Sequence, residues 1–137
     1  ETFNDSKKVL KKYNLGTAHH KAMHLISFYN GITITQLLNK LNVTKQSLNR
    51  VINDLKKLNY LEFKKDTKDT RVKHIFLNDR GKKIFEEICH IFIRASHKSF
   101  PDNKIIKKLV FSNFSVNKNY SNSTLFAILH VSSITDF

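Results

Sequence analysis

The stretch Thr33–Leu58, TITQLLNKLNVTKQSLNRVINDLKKL, decides the fold. It opens on Thr33-Ile34-Thr35-Gln36, a capping box in which the Thr33 side chain reaches the backbone of Gln36 and Gln36 reaches back. A short helix with Leu37, Leu38 and Leu41 follows, and Asn42-Val43 makes a tight turn. Thr44 then caps a second helix. Its Leu48, Val51, Ile52, Leu55 and Leu58 recur every three or four residues, which puts them on one stripe. The opposite face shows Lys45, Gln46, Asn49, Arg50, Asn53 and Lys56. Short helix, tight turn and amphipathic helix are the parts of a helix-turn-helix, whose second helix enters the major groove of DNA by its N-terminal residues.

Downstream, after Asn59-Tyr60, the period changes from helix to strand. Leu61-Glu62-Phe63-Lys64 alternates, residues 66–70 (Asp-Thr-Lys-Asp-Thr) are polar turn formers, and Val72–Leu77 returns as a second strand. A basic hairpin in this place is the wing of a winged helix. Asn78 then caps a long helix to about Ser99, with Ile84, Phe85, Ile88, Ile91 and Phe92 as its apolar side, and Pro101 marks its end. Upstream, residues 3–13 read as a basic amphipathic helix broken by Gly16. A further helix is expected from Thr17, as N-cap, to Tyr29, stopped at Asn30-Gly31.

The 137 residues carry a formal net charge of +13, with a sequence pI of about 9.9. Residues 44–74 hold nine basic and four acidic side chains, a net of +5, while residues 109–137 are neutral. An excess of this size favours a polyanionic partner, nucleic acid before an anionic membrane surface. Because the charge is spread along the chain, it raises that expectation and the motif has to carry it. Cys89 is the one cysteine, so no disulfide can form within the chain. No apolar run approaches the roughly 20 residues of a membrane span, and no signal peptide is visible. A cytoplasmic protein without membrane association is expected. There is no Gly-rich phosphate loop, no Gly-x-Ser-x-Gly and no framed carboxylate pair, so neither an enzyme nor a cofactor is expected.

The residues expected at DNA follow from their chemistry. Lys45 and Arg50 can bond guanine, Gln46, Asn49 and Asn53 can bond adenine, and Thr44 and Ser47 can reach bases or phosphates. The capped helix starts at Thr33, with Thr35, and at Thr44 present backbone N–H groups suited to phosphate. At the hairpin tip, Lys68 and Arg71 have the charge to meet backbone or minor groove.

Residues 15–88 resemble the MarR (multiple antibiotic resistance regulator) family of winged-helix regulators. The resemblance is carried by Ile34–Leu38, Leu41–Ile52, Asp54-Leu55, the wing Asp66-Thr67-Lys68-Asp69-Thr70-Arg71, and Leu77–Gly81. It implies a sequence-specific transcriptional regulator of repressor type: a symmetric homodimer on an inverted-repeat operator, recognition helix 44–58 in the major groove and wing 61–77 at the minor groove. In the family pattern the wing Asp, here Asp69, braces the wing Arg, here Arg71, and a small-molecule effector is a further partner. The fold class expected is mainly α with a small β-hairpin, a winged helix-turn-helix with flanking dimerisation helices. The division expected is residues 1–14 as the remnant of an N-terminal dimerisation helix, 15–77 as the DNA-binding domain, 78–100 as a long dimerisation helix, and 101–137 as a tail of uncertain structure. The start reads as shorter than the family's first helix, and the tail as diverged from its C-terminal helix.

Two other readings stay beside this one. A winged helix can serve protein–protein assembly, with its charge merely compositional, or a metal or ligand sensor can have lost its DNA binding. His20 and His24 are spaced i, i+4, a spacing that can place two imidazoles on one metal. With no Cys or carboxylate nearby in sequence to complete a set, they read rather as a polar patch or packing histidines, and no metal is assigned. Cys89, amid Ile88, Ile91 and Phe92, reads as a buried inert thiol rather than a redox sensor.

Overall fold

A computed structural model describes residues 2–99 together with Asp102 and Lys104, with side chains for residues 7–91, Arg94, Asp102 and Lys104. The expected tail at 101–137 therefore lies, but for those two residues, outside the described residues. The elements in chain order are α1 (Thr2–Lys12), α2 (Thr17–Phe28), β1 (Ile32–Thr33), α3 (Ile34–Leu41), α4 (Lys45–Lys57), β2 (Leu61–Lys65), β3 (Lys73–Leu77) and α5 (Asp79–Ser99). The fold is mainly helical with a small antiparallel sheet.

Asparagine sets the stops of α1, α3 and α4. Asn14, Asn42 and Asn59 have φ of 57°, 51° and 58°, the left-handed conformation that a side chain other than Gly or Asn resists. After α1 the Leu15 N–H bonds the Leu10 carbonyl at 2.9 Å, and after α4 the Tyr60 N–H bonds the Leu55 carbonyl at 3.1 Å. Both are six-to-one closures that satisfy carbonyls left open at a helix end. The stop after α1 thus comes at Asn14, two residues before the glycine expected to break it. Gly16 instead caps α2: Thr17 is already helical, and the Gly16 N–H donates to His19 Nδ1 at 3.0 Å. A histidine three residues into the helix takes the place of the expected threonine cap.

The sheet has three strands rather than the two of a hairpin, in the order β1-β3-β2. The wing strands pair from Leu61↔Leu77 to Lys65↔Lys73. The added strand is two residues long, with Ile32↔Ile75 and Thr33↔His74. It leads directly into α3, so the return strand of the wing is bonded to the start of the helix-turn-helix.

By packing, the described residues divide into Leu10–Phe85 and a second unit drawn from residues 2–9 and 86–99. The core of the first is built from Ala22, Met23 and Ile26 of α2, Ile32 of β1, Leu37 of α3, Leu48, Ile52 and Leu55 of α4, and Tyr60, Leu61, Ile75 and Leu77 around the wing. Each fully buried Leu, Ile or Met side chain is worth about 1.5–3 kcal/mol. Strand alternation sends Ile75 and Leu77 into this core and leaves His74 and Phe76 half-buried on the other face. In the second unit, Ile88 and Cys89 of α5 are buried.

Candidate nucleic-acid interface

The stripe of α4 fixes which of its side chains reach solvent. Leu48, Ile52 and Leu55 are buried, so Lys45, Gln46, Ser47, Asn49, Arg50 and Asn53 stand exposed. Thr44, in extended backbone, accepts the Ser47 N–H at Oγ1 (3.2 Å) and donates its hydroxyl to Ser47 Oγ (2.9 Å). A cap of this kind stabilises a helix by about 1 kcal/mol. It also leaves the remaining first-turn N–H groups pointing outward, at the positive end of the helix dipole. The one acid of α4, Asp54, is engaged by His19 Nε2 at 3.1 Å. Because His19 Nδ1 accepts from Gly16, its Nε2–H is the donor to the Asp54 carboxylate. One imidazole therefore caps α2 and ties it to α4.

At α3, Thr33 Oγ1 accepts the Gln36 N–H (3.2 Å) and Gln36 Oε1 accepts the Thr33 N–H (3.0 Å), the reciprocal box. Thr33 is half-buried and Thr35 exposed.

The wing loop is organised by two aspartates. Asp66 Oδ1 accepts the backbone N–H groups of Lys68 (2.7 Å) and Asp69 (3.0 Å), an Asx turn. Asp69 Oδ1 accepts both the backbone N–H of Arg71 (3.0 Å) and its Nε–H (3.3 Å). The Arg71 side chain is nevertheless 91% exposed, so its guanidinium is steered rather than consumed. Lys68 is exposed beside it.

The wing root holds a constellation that reading along the chain missed. His74 of β3 lies 2.8 Å from Asp66 Oδ2 through Nε2 and 2.7 Å from the Gly31 carbonyl oxygen through Nδ1. The Asp66 carboxyl is held down to about 2, first by its bond to His74 and then by the Asp69 and Lys68 N–H groups. His74 is raised above the ordinary histidine value, first by Asp66 and then by the Gly31 carbonyl. The only sequence signal was Asp66 in the wing pattern, since Gly31 lies 43 residues from its partner.

The other candidates fall elsewhere. His20 is buried and His24 half-buried, with ring centroids 5.8 Å and 6.0 Å from that of Phe85. Burial, and then the neighbouring His24, push His20 down to about 4. Among the described residues no group of three or more His, Cys, Asp or Glu could hold a metal ion. Burial, and then Glu86, push the Cys89 thiol up to about 12, the reverse of what a sensor thiol needs. Among the described residues no helix is long and apolar enough to cross a membrane.

Residues 13–72 match the MarR family. The chain is 34% identical over 98 residues to the HTH-type transcriptional regulator PetP of Rhodobacter capsulatus. That match takes in 69% of this chain and 59% of the relative's length. Among solved structures, MarR is similar with a TM-score of 0.61 and 23% identity, over 77% of each chain. YusO of Bacillus subtilis is similar with a TM-score of 0.66 and 15% identity, over 81% of this chain and 79% of its own. The S. aureus MepR–DNA complex is similar with a TM-score of 0.61 and 18% identity, over 77% of this chain and 87% of its own. At these identities the structures establish the winged-helix fold.

Proposed function

From the premise that the chain carries a MarR-family domain over residues 13–72, we propose that it is a transcriptional regulator that binds double-stranded DNA, acting as a repressor. The observation that carries this reading is the N-terminal half of α4. Lys45, Gln46, Ser47, Asn49 and Arg50 are exposed together behind a Thr44 cap and are held out by buried Leu48. These are the donor and acceptor types that read base edges, at the end of the helix that reaches them. In this reading α4 lies in the major groove, with Asn53 further along it. The α3 start at Thr33 and Thr35 meets phosphate, and Lys68 and Arg71, the latter braced by Asp69, meet the minor groove or its backbone. The regulator acts as a cytoplasmic homodimer on an inverted repeat and answers a small-molecule effector. Residues 15–77 form the DNA-binding part, and the helices within 1–14 and 78–100 make the dimer.

Selection of bound duplexes from a random pool near physiological salt tests this. The expected result is an enriched inverted repeat with half-sites about one helical turn apart. A pool that stays unenriched while binding remains salt-sensitive would show attraction by charge alone and overturn the reading.

Two substitutions separate the roles. Gln46→Ala or Arg50→Ala is expected to relax preference at the base it reads by about 1–3 kcal/mol, measured by competition between single-base variants of the selected site. Unchanged preference in both would mean that another face reads the sequence. Arg71→Ala is expected to weaken all duplexes alike and to lower the slope of log K against log salt by about one for each phosphate the arginine meets. An unchanged slope and affinity would remove the wing arginine from the interface.

A further inference from the structure

The Asp66–His74–Gly31 constellation joins two parts of the fold that DNA would have to meet together. Asp66 is the root of the wing loop, since its carboxylate orders Lys68 and Asp69 and its N–H bonds the Val72 carbonyl at 2.9 Å. Gly31 lies in the turn that delivers β1 and α3. Its φ of +84° suits glycine, and a Cβ there would come within 3.3 Å of the Phe76 ring and 3.8 Å of His74 Nδ1. His74 is in the central strand, between them. A carbonyl oxygen and a carboxylate can only accept, so both ring nitrogens must donate, and the species that satisfies both bonds is the imidazolium.

We propose that His74 is a positioning residue for the wing: its imidazolium, donating to Gly31 and Asp66 at once, locks the hairpin against the start of the helix-turn-helix and so makes DNA affinity fall as pH rises. The inference rests on the DNA-binding reading above and adds regulation to it.

On β2 the charged neighbours are Lys64 and Glu62. Lys64 is the register partner of His74, with its ammonium 5.0 Å from the centre of the Phe76 ring and 3.6 Å from the Glu62 carboxylate. On the β1 side the register partner is the uncharged Thr33. The turn before β1 brings Tyr29, whose ring carries the Lys40 ammonium of α3 at 4.1 Å. His74 titrates above 6.5 because its charged form gains both partners. The clamp is therefore complete below pH 6.5 and is lost as pH rises through the raised value. Asp66, held to about 2, stays a carboxylate throughout that range.

The test has two arms on the full chain. First, the His74 ring is titrated by NMR without DNA, from about pH 6 to about pH 9. A midpoint above 6.5 that drops toward 6.5 in Asp66→Asn is expected. A midpoint at or below 6.5, unmoved by Asp66→Asn, overturns the clamp. Second, affinity for the selected duplex is followed over the same range. The wild type is expected to weaken on the order of tenfold, the scale of coupling between two sites. His74→Arg, a permanent cation with several donors, should flatten the profile, and Arg71→Ala, which removes the wing contact, should shrink it. A profile equally steep in wild type, His74→Arg and Arg71→Ala overturns the coupling, because other histidines would then set it. Absence of duplex binding at every pH refutes the DNA-binding reading and the coupling with it, while the NMR arm decides the clamp by itself. Far-UV circular dichroism of each variant separates lost positioning from lost fold.

Discussion

Gly81→Ala is expected to destabilise the fold by about 2–3 kcal/mol, the cost of forcing a methyl group into a closed contact. Alanine is the better helix former by up to about 1 kcal/mol, and Gly81 has no positive φ that would forbid it. The obstacle is space. A Cβ at position 81 would land on the Tyr60 carbonyl oxygen, with the Tyr60 carbonyl carbon 3.0 Å and Cα 3.2 Å away. All three atoms are backbone, so no side-chain rotation relieves the clash. The same carbonyl accepts the Asn78 N–H at 3.1 Å, and Asn78 Oδ1 accepts the Gly81 N–H at 2.8 Å. The start of α5 cannot retreat from the start of β2 without breaking the bonds that Asn78 donates to the Tyr60 and Asn59 carbonyls. Thermal unfolding checks this, with a fall of about 10 °C or more expected for a domain of this size. An unchanged midpoint would mean that α5 can slide away from Tyr60.

Leu48→Ala should cost about 2–5 kcal/mol, as large-to-small changes in a filled core do. Leu48 is 1% exposed and is the first core residue of α4, set between Ser47 and Asn49 of the proposed reading face. Removing its side chain leaves a cavity under the first turns of that helix. Affinity for the selected duplex is expected to drop even under conditions where the variant stays folded, since a loosened helix no longer holds Gln46 and Arg50 at one depth. Urea unfolding measures the first effect and titration below the unfolding transition the second. A loss under about 1 kcal/mol would show that the core collapses onto the gap.

The parts of the fold that could be read along the chain are those whose physics is local. The Thr33–Gln36 box and the Thr44 cap are bonds over three residues, and the α4 stripe is a period of three and four. Both can therefore be read from one stretch, and the exposure of Lys45, Gln46, Asn49, Arg50 and Asn53 follows directly. Strand β1 was not legible because two residues show no alternation, and its partner lies in the wing. The Gly16 cap was missed because histidine is no usual capping residue, and the partner of its other nitrogen, Asp54, lies 35 residues on. For the site, the Asp69–Arg71 pair is close in sequence and fell within a known pattern. His74 did not, since both of its partners come from other segments.

Asn14, Asn42 and Asn59, the three left-handed helix stops, have a consequence at the level of the gene. Glycine, the usual residue for this backbone shape, needs two guanines in every codon, whereas asparagine can be written with adenine and thymine alone. The carboxamide tolerates the left-handed region by bonding its own neighbourhood, so a chain with only three glycines still terminates its helices sharply. A winged helix punctuated in this way can be carried by a genome poor in guanine and cytosine, and mutational drift toward adenine and thymine would leave its turns intact.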